Sequence, residues 1–138
     1  MTTNQKLLVK ESFAKVVPIA ETAAALFYGR LFEMDPSLRP LFRTDIREQG
    51  KKLMQMLGTC VGKLDELDDL VPAVKDLGRK HAGYGVEEED YQTVGAALLW
   101  TLEHGLGAAF TPEVKAAWTA VYDLLAATML EGAKSAAA

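Results

Sequence analysis

Apolar residues recur along this chain at spacings of three and four almost from end to end, and strand-like alternation with hairpin dipeptides is nearly absent. An all-α fold follows. The first helix is expected to begin after Thr2 or Thr3, where Thr2 and Gln5 have the spacing of a capping box, and to run through Val9, Phe13 and Val16. Pro18 marks a bend. A second helix carries Ala24, Phe27, Tyr28, Leu31 and Phe32. Asp35-Pro36 opens a short helical turn that ends at Pro40-Leu41-Phe42, since proline suits a first turn and not an interior.

Asp45 and Glu48 read as another capping box, opening a helix from about Ile46 to Lys63. After the acidic stretch from Asp65 to Asp69, a helix from Asp69 to Ala82 carries Pro72 near its start and His81 near its end, and Gly83 and Gly85 stop it. The run Glu87-Glu88-Glu89-Asp90 places acids in the first turn of the next helix, where they complement its dipole. That helix continues through Tyr91, Val94, Leu98 and Leu102 to Gly105 and Gly107. Thr111-Pro112-Glu113 starts the last, whose stripe is Val114, Trp118, Val121, Leu125 and Met129, and the tail SAAA is expected to fray. About seven helices with short connections and no internal repeat predict one domain over 1–138, a bundle or a globin-like packing.

Composition narrows the options. The 138 residues, 49% of them hydrophobic, suffice for one core, and 25% charged is ordinary for a soluble protein. A formal charge of −4 argues against nucleic acid or an anionic membrane as partner. No apolar run approaches a signal peptide or a membrane span, and the single cysteine, Cys60, forms no internal disulfide. A cytoplasmic location is expected.

Function is sought where polar side chains fall on stripes that should be buried. Leu70, Val74, Leu77 and His81 share one helical face, so that stripe delivers an imidazole inward at the helix end. A lone histidine there is more often a hydrogen-bonded core residue than a ligand. On the preceding helix Ile46, Gln49, Leu53, Leu57 and Cys60 share a face, which turns Gln49 inward. An unpartnered buried amide costs about 1–3 kcal/mol, so Gln49 is either a wet boundary residue or one with something to bond. Tyr28, beside Phe27, is an ordinary core-edge tyrosine or a third polar group in the same interior. One strong ligand and two hydrogen-bonding groups suit a bound metal cofactor better than a hydrolytic site.

Other chemistries lack their residues. GxxxxGK[ST], GxGxxG, CxxC and HExxH are all missing, and two histidines with one cysteine are too few for a tetrahedral all-protein cage. An iron already held by four porphyrin nitrogens needs only one protein ligand.

The ordered set Phe27-Tyr28, Leu31-Phe32, Pro36, Leu41-Phe42, Gln49 and Leu53 closely resembles the single-domain bacterial haemoglobins and the globin domain of flavohaemoglobins. Leu70 to Val74, His81, Gly85-Val86, Tyr91, Val94-Gly95, Ala117-Trp118 and Tyr122 continue the likeness, which spans residues 5 to 130. The resemblance implies a globin fold around haem b, with His81 as the proximal iron ligand and Phe42 against the porphyrin face. It implies Tyr28, Gln49 and Leu53 on the distal side and Lys52 within reach of a propionate. Leu77, Tyr84, Val86, Tyr91, Val94 and Leu98 would wall the pocket.

One departure bears on activity. Flavohaemoglobins set a tyrosine and a glutamate around the iron-bound histidine; Tyr91 matches the tyrosine, but the glutamate's place falls near Ala133, with Glu131 on a different face. The reductase domain has no counterpart in this sequence. The resemblance implies reversible O₂ binding at a five-coordinate iron, with the second nitrogen of His81 oriented by a carbonyl near Leu77 or Gly78, or by Tyr91. The alternative is nitric oxide dioxygenation with an external reductase; sensing through a partner and a globin fold without haem rank below both. His104, beside Gly105, is expected at the surface.

Overall fold

A computed structural model of the chain describes residues 2–42 and 45–137. Its α-helices are α1 (Thr3–Val16), α2 (Ala20–Met34), α3 (Ile46–Gly62), α4 (Leu67–Gly83), α5 (Glu88–Leu106) and α6 (Pro112–Ala137). Short 3₁₀ turns at Val17–Ile19, Pro36–Leu41, Leu64–Glu66 and Gly107–Ala109 join them, and no strand occurs among the described residues. The expected seventh helix is the 3₁₀ turn at Pro36–Leu41.

Local chemistry accounts for the helix starts. Thr2 and Gln5 form the reciprocal capping box, the Gln5 amide N–H donating to Thr2 Oγ1 at 3.0 Å and the Thr2 N–H to Gln5 Oε1 at 3.1 Å. Thr111 Oγ1 accepts from the Val114 N–H at 3.2 Å, so α6 begins at Pro112 as expected. Pro18 falls in the turn between α1 and α2.

Two expectations are corrected. Asp45 does cap α3, but its short carboxylate accepts from the Arg47 N–H at 3.1 Å, while Glu48 reaches Lys51 Nζ at 3.4 Å, so no capping box closes. Helix α4 starts at Leu67 rather than Asp69 and carries Pro72 in its interior, because Asp68 and Asp69 favour a helix N-terminus and the acidic connection is itself helical. Helix α6 runs to Ala137, its end rich in alanine, the best helix former; Ala138 lies outside the described residues.

The main core joins α1, α2, α3, α5 and α6, with Val9, Leu31, Leu64 and Trp118 almost wholly enclosed. Trp118 brings one polar atom inward. Its Nε1–H donates to Ser12 Oγ at 2.8 Å, and that hydroxyl donates to the Leu8 carbonyl at 2.7 Å, so α6 is joined to α1 without an orphaned donor.

A second cluster, Cys60, Leu70 and Val74 with Leu125 and Met129, seats α4 against α3 and α6. Helices α2 and α3 meet where Gly50 lies against Ala24, a methyl at 50 coming within 2.9 Å of the alanine's. That close approach brings Tyr28, one turn beyond Ala24, alongside Gln49.

Candidate functional site

His81 lies in the last turn of α4, half-buried, on the stripe that begins with Leu70 and Val74. Its Nδ1 is 2.8 Å from the Leu77 carbonyl oxygen. That oxygen can only accept, so Nδ1 carries the proton and Nε2 keeps a bare lone pair. Burial pushes the imidazole pKa below its ordinary 6.5, and the Leu77 hydrogen bond opposes this only in part, so the ring is neutral near pH 7.

The backbone under His81 is fixed as well. Gly85 takes φ 95°, a conformation that favours glycine, and this turns the chain so that the Val86 N–H donates to the His81 carbonyl at 3.1 Å. Tyr84 stands outside this turn, 64% exposed, with its ring centroid 6.2 Å from that of His81.

A second group gathers around Tyr28, which is only 6% exposed. Its ring meets Phe42 edge-on at 5.3 Å and stacks on Phe32 at 6.0 Å, and Phe32 meets Phe42 at 5.3 Å. The Tyr28 hydroxyl donates to the Gln49 backbone carbonyl at 3.4 Å, longer than a good O–H···O bond. Desolvation pushes the phenol up to about 12. On α3, Gln49 and Leu53 are half-buried and Lys52 is exposed, as a helical period requires.

Helix α5 adds a third side, with Tyr91 and Val94 half-buried and Leu98 buried. Tyr122 of α6 donates its hydroxyl to the Tyr91 carbonyl at 2.6 Å, which ties the start of α5 to α6. Nothing in the pattern of apolar positions announced that bond. Between Leu53 and Leu98 lies an almost wholly apolar cavity of about 20 Å³, walled also by Phe27, Leu57, Leu102 and Trp118.

The sequence-predicted residues therefore fall into separate sets. Tyr28 meets the Phe42 ring and the Gln49 backbone carbonyl; Leu53 and Leu98 share the cavity wall; His81 meets the Leu77 carbonyl, the Val86 N–H and the Tyr84 ring. Lys52 is exposed on α3, and Tyr91 takes part through its carbonyl, the Nδ1 partner of His81 being Leu77. His104 is exposed, its ring 4.0 Å from that of Trp100. Among the described residues no group of three or more His, Cys, Asp or Glu side chains could hold a metal ion, so a metal here must bring most of its own ligands.

The globin family model matches residues 25–129, and the chain belongs to that family, the haem proteins that bind diatomic ligands. Among curated proteins it is similar to the neuroglobins of Tetraodon nigroviridis, at 29% identity over 96% of this chain and 92% of the relative, and of Danio rerio, at 28% over the same shares. Among solved structures it is similar to an engineered carbene transferase from Rhodothermus marinus, a protein provisionally classed as a nitric oxide dioxygenase. The TM-score is 0.88 and the identity 25%, over 98% of this chain and 94% of that one. Among the described residues no helix is long and apolar enough to cross a membrane.

The family implies haem, and the side chains suit it. His81 offers one free nitrogen in its neutral form. Phe32, Leu41, Phe42, Leu53 and Val94 pack on the core yet stay half-exposed, leaving apolar surface that a flat macrocycle would cover.

Proposed function

We propose that this globin is a single-domain haemoglobin of the bacterial type that binds O₂ reversibly on haem b held by His81. The observation that carries this is the occupied Nδ1 of His81: with its N–H donating to the Leu77 carbonyl, the imidazole is held in the tautomer that leaves Nε2 free to ligate an iron. Bound haem would supply a ferrous iron with one position left for a diatomic ligand whose outer atom gathers negative charge.

On that side the chain offers two donors. The Tyr28 hydroxyl is buried, and its present bond at 3.4 Å is weak enough to exchange for a better acceptor. The Gln49 side-chain amide is the second donor. Phe42 would pack against the macrocycle, Leu53 beside the ligand position, and Leu77, Tyr84, Val86, Tyr91, Val94 and Leu98 along the remaining wall, with Lys52 toward a propionate. Hydrogen bonds to a charged acceptor contribute about 1.5–3 kcal/mol each, roughly tenfold to a hundredfold in affinity.

Two measurements test the reading. His81→Ala is expected to abolish the absorption bands of the reduced and CO-bound protein; unchanged bands would overturn the assignment. Tyr28→Phe and Gln49→Leu are each expected to speed O₂ dissociation by at least roughly tenfold, and rates equal to the parent's would remove both residues from the distal site.

The Rhodothermus marinus relative supports a second reading, nitric oxide dioxygenation with electrons from an external reductase. Sustained nitrate production from nitric oxide in the presence of a reductase would favour it, whereas a single stoichiometric turnover would favour O₂ binding.

A further inference from the structure

Helix α4 packs against α6 more than against any other element. At the crossing the two helices meet backbone to backbone, through Gly78 on α4 and Gly132 on α6, both buried. A methyl group on Gly78 would fall on the Met129 carbonyl, and one on Gly132 would fall on the Lys75 carbonyl. Each glycine thus faces the carbonyl three residues before the other, in a reciprocal pair of Cα–H to oxygen approaches. In both cases the obstructing atom is backbone and cannot rotate aside.

We infer that the Gly78–Gly132 crossing is a positioning device that sets where His81 presents its iron-binding nitrogen, and hence how tightly the bound diatomic ligand is held. This rests on the reading of His81 as the ligand. The connection runs through one rigid unit. The Leu77 carbonyl that orients Nδ1 of His81 belongs to the same planar peptide as the Gly78 nitrogen. Clamping the Gly78 Cα against α6 therefore locates Leu77 oxygen, and with it the imidazole plane. The far end of that imidazole's backbone is held independently by the bond from the Val86 N–H. Apolar packing alone would let α4 slide; a glycine notch on each helix permits one register and one separation.

The crossing leaves a mark in the sequence. Glycine within a helix is disfavoured relative to alanine, and Gly78 lies within α4 one turn before the ligand. A methyl at 78 or 132 must lift α4 from α6 by on the order of 1 Å, a displacement that costs up to about a hundredfold when it reaches a reacting centre.

The test uses the haem-loaded protein. Gly78→Ala and Gly132→Ala are expected to keep haem but to shift the iron–imidazole stretching band of the ferrous protein in resonance Raman spectra. Each should change the O₂ dissociation rate by about tenfold and speed amide exchange across residues 75–81. Gly62→Ala, at an open position on α3, should change none of these. Should either crossing variant fail to fold, Val74→Ala loosens the same contact without a clash and is expected to broaden the Raman band. A folded crossing variant, or Val74→Ala in its place, with the parental band and rate would overturn the inference. If His81→Ala left the haem spectrum unchanged, the ligand assignment would fall instead, while exchange in α4 would still respond to the glycine changes, so the two failures are distinguishable.

Discussion

A histidine becomes a useful metal ligand when one ring nitrogen is occupied and the other is bare, and the Leu77 carbonyl puts His81 in that state. Its partner across the proposed site, Tyr28, has the opposite need, to remain protonated. Burial raises its pKa from 10.0 to about 12, so the folded state holds the proton over a range in which the unfolded chain has lost it. The sign follows. Below pH 10 both states carry the proton and folding gains its full contribution; as pH rises from 10 through 12 that contribution is lost, by roughly 3 kcal/mol in all. Denaturant titrations of the parent are therefore expected to show stability falling steadily above pH 10, and Tyr28→Phe should flatten that fall. Equal slopes in the two proteins would mean that the Tyr28 phenol titrates as freely in the fold as in water.

At the scale of elements, glycines of α3 and α5 show how different the same residue can be. Gly58 has room, since a methyl there would sit 3.7 Å from Phe13, an ordinary contact. Gly95 has none, since its methyl would come within 2.7 Å of the Tyr122 ring, which is held in place by the bond to the Tyr91 carbonyl. Gly58→Ala is expected to stabilise the fold by about 1 kcal/mol through helix propensity. Gly95→Ala is expected to destabilise it by about 1–2 kcal/mol, the displaced ring and lost hydrogen bond outweighing the same propensity gain. Denaturant unfolding of the two variants beside the parent measures both, and a Gly95→Ala protein more stable than the parent would show the Tyr122 bond to be dispensable.

Helix existence, caps at Thr2 and Thr111 and the inward face of His81 were legible because each depends on residues within a few positions of one another. The start of α4 was misread because Pro72 looked like a first-turn signal, whereas the acids before it were already helical. The contacts between Gly78 and Met129, and between Tyr122 and Tyr91, join residues far apart in sequence; no period encodes them. The only trace they left was glycine where a helix would rather have alanine.

At the scale of the molecule, two cores are joined through helices that also frame the proposed site, so cofactor binding and folding are linked. The main core holds α1, α2, α3, α5 and α6 together, whereas α4 is seated by the smaller cluster around Cys60, Leu70 and Val74 and by its glycine crossing with α6. Haem held by His81 would add a second tie from α4 to the distal helices, at the far end of α4 from the contact that Cys60 makes with Leu70 and Val74. A ligand that binds only the native state stabilises it by about 2.7 kcal/mol at a hundredfold excess over its dissociation constant. Thermal unfolding is therefore expected to shift upward as haem is added, and to keep rising with its concentration. In His81→Ala most of that rise should vanish while the haem-free midpoint stays close to the parent's, because the lost imidazole makes one local hydrogen bond and carries no charge near pH 7. A His81→Ala protein that gained as much from haem as the parent would show the tie to run through apolar contact alone.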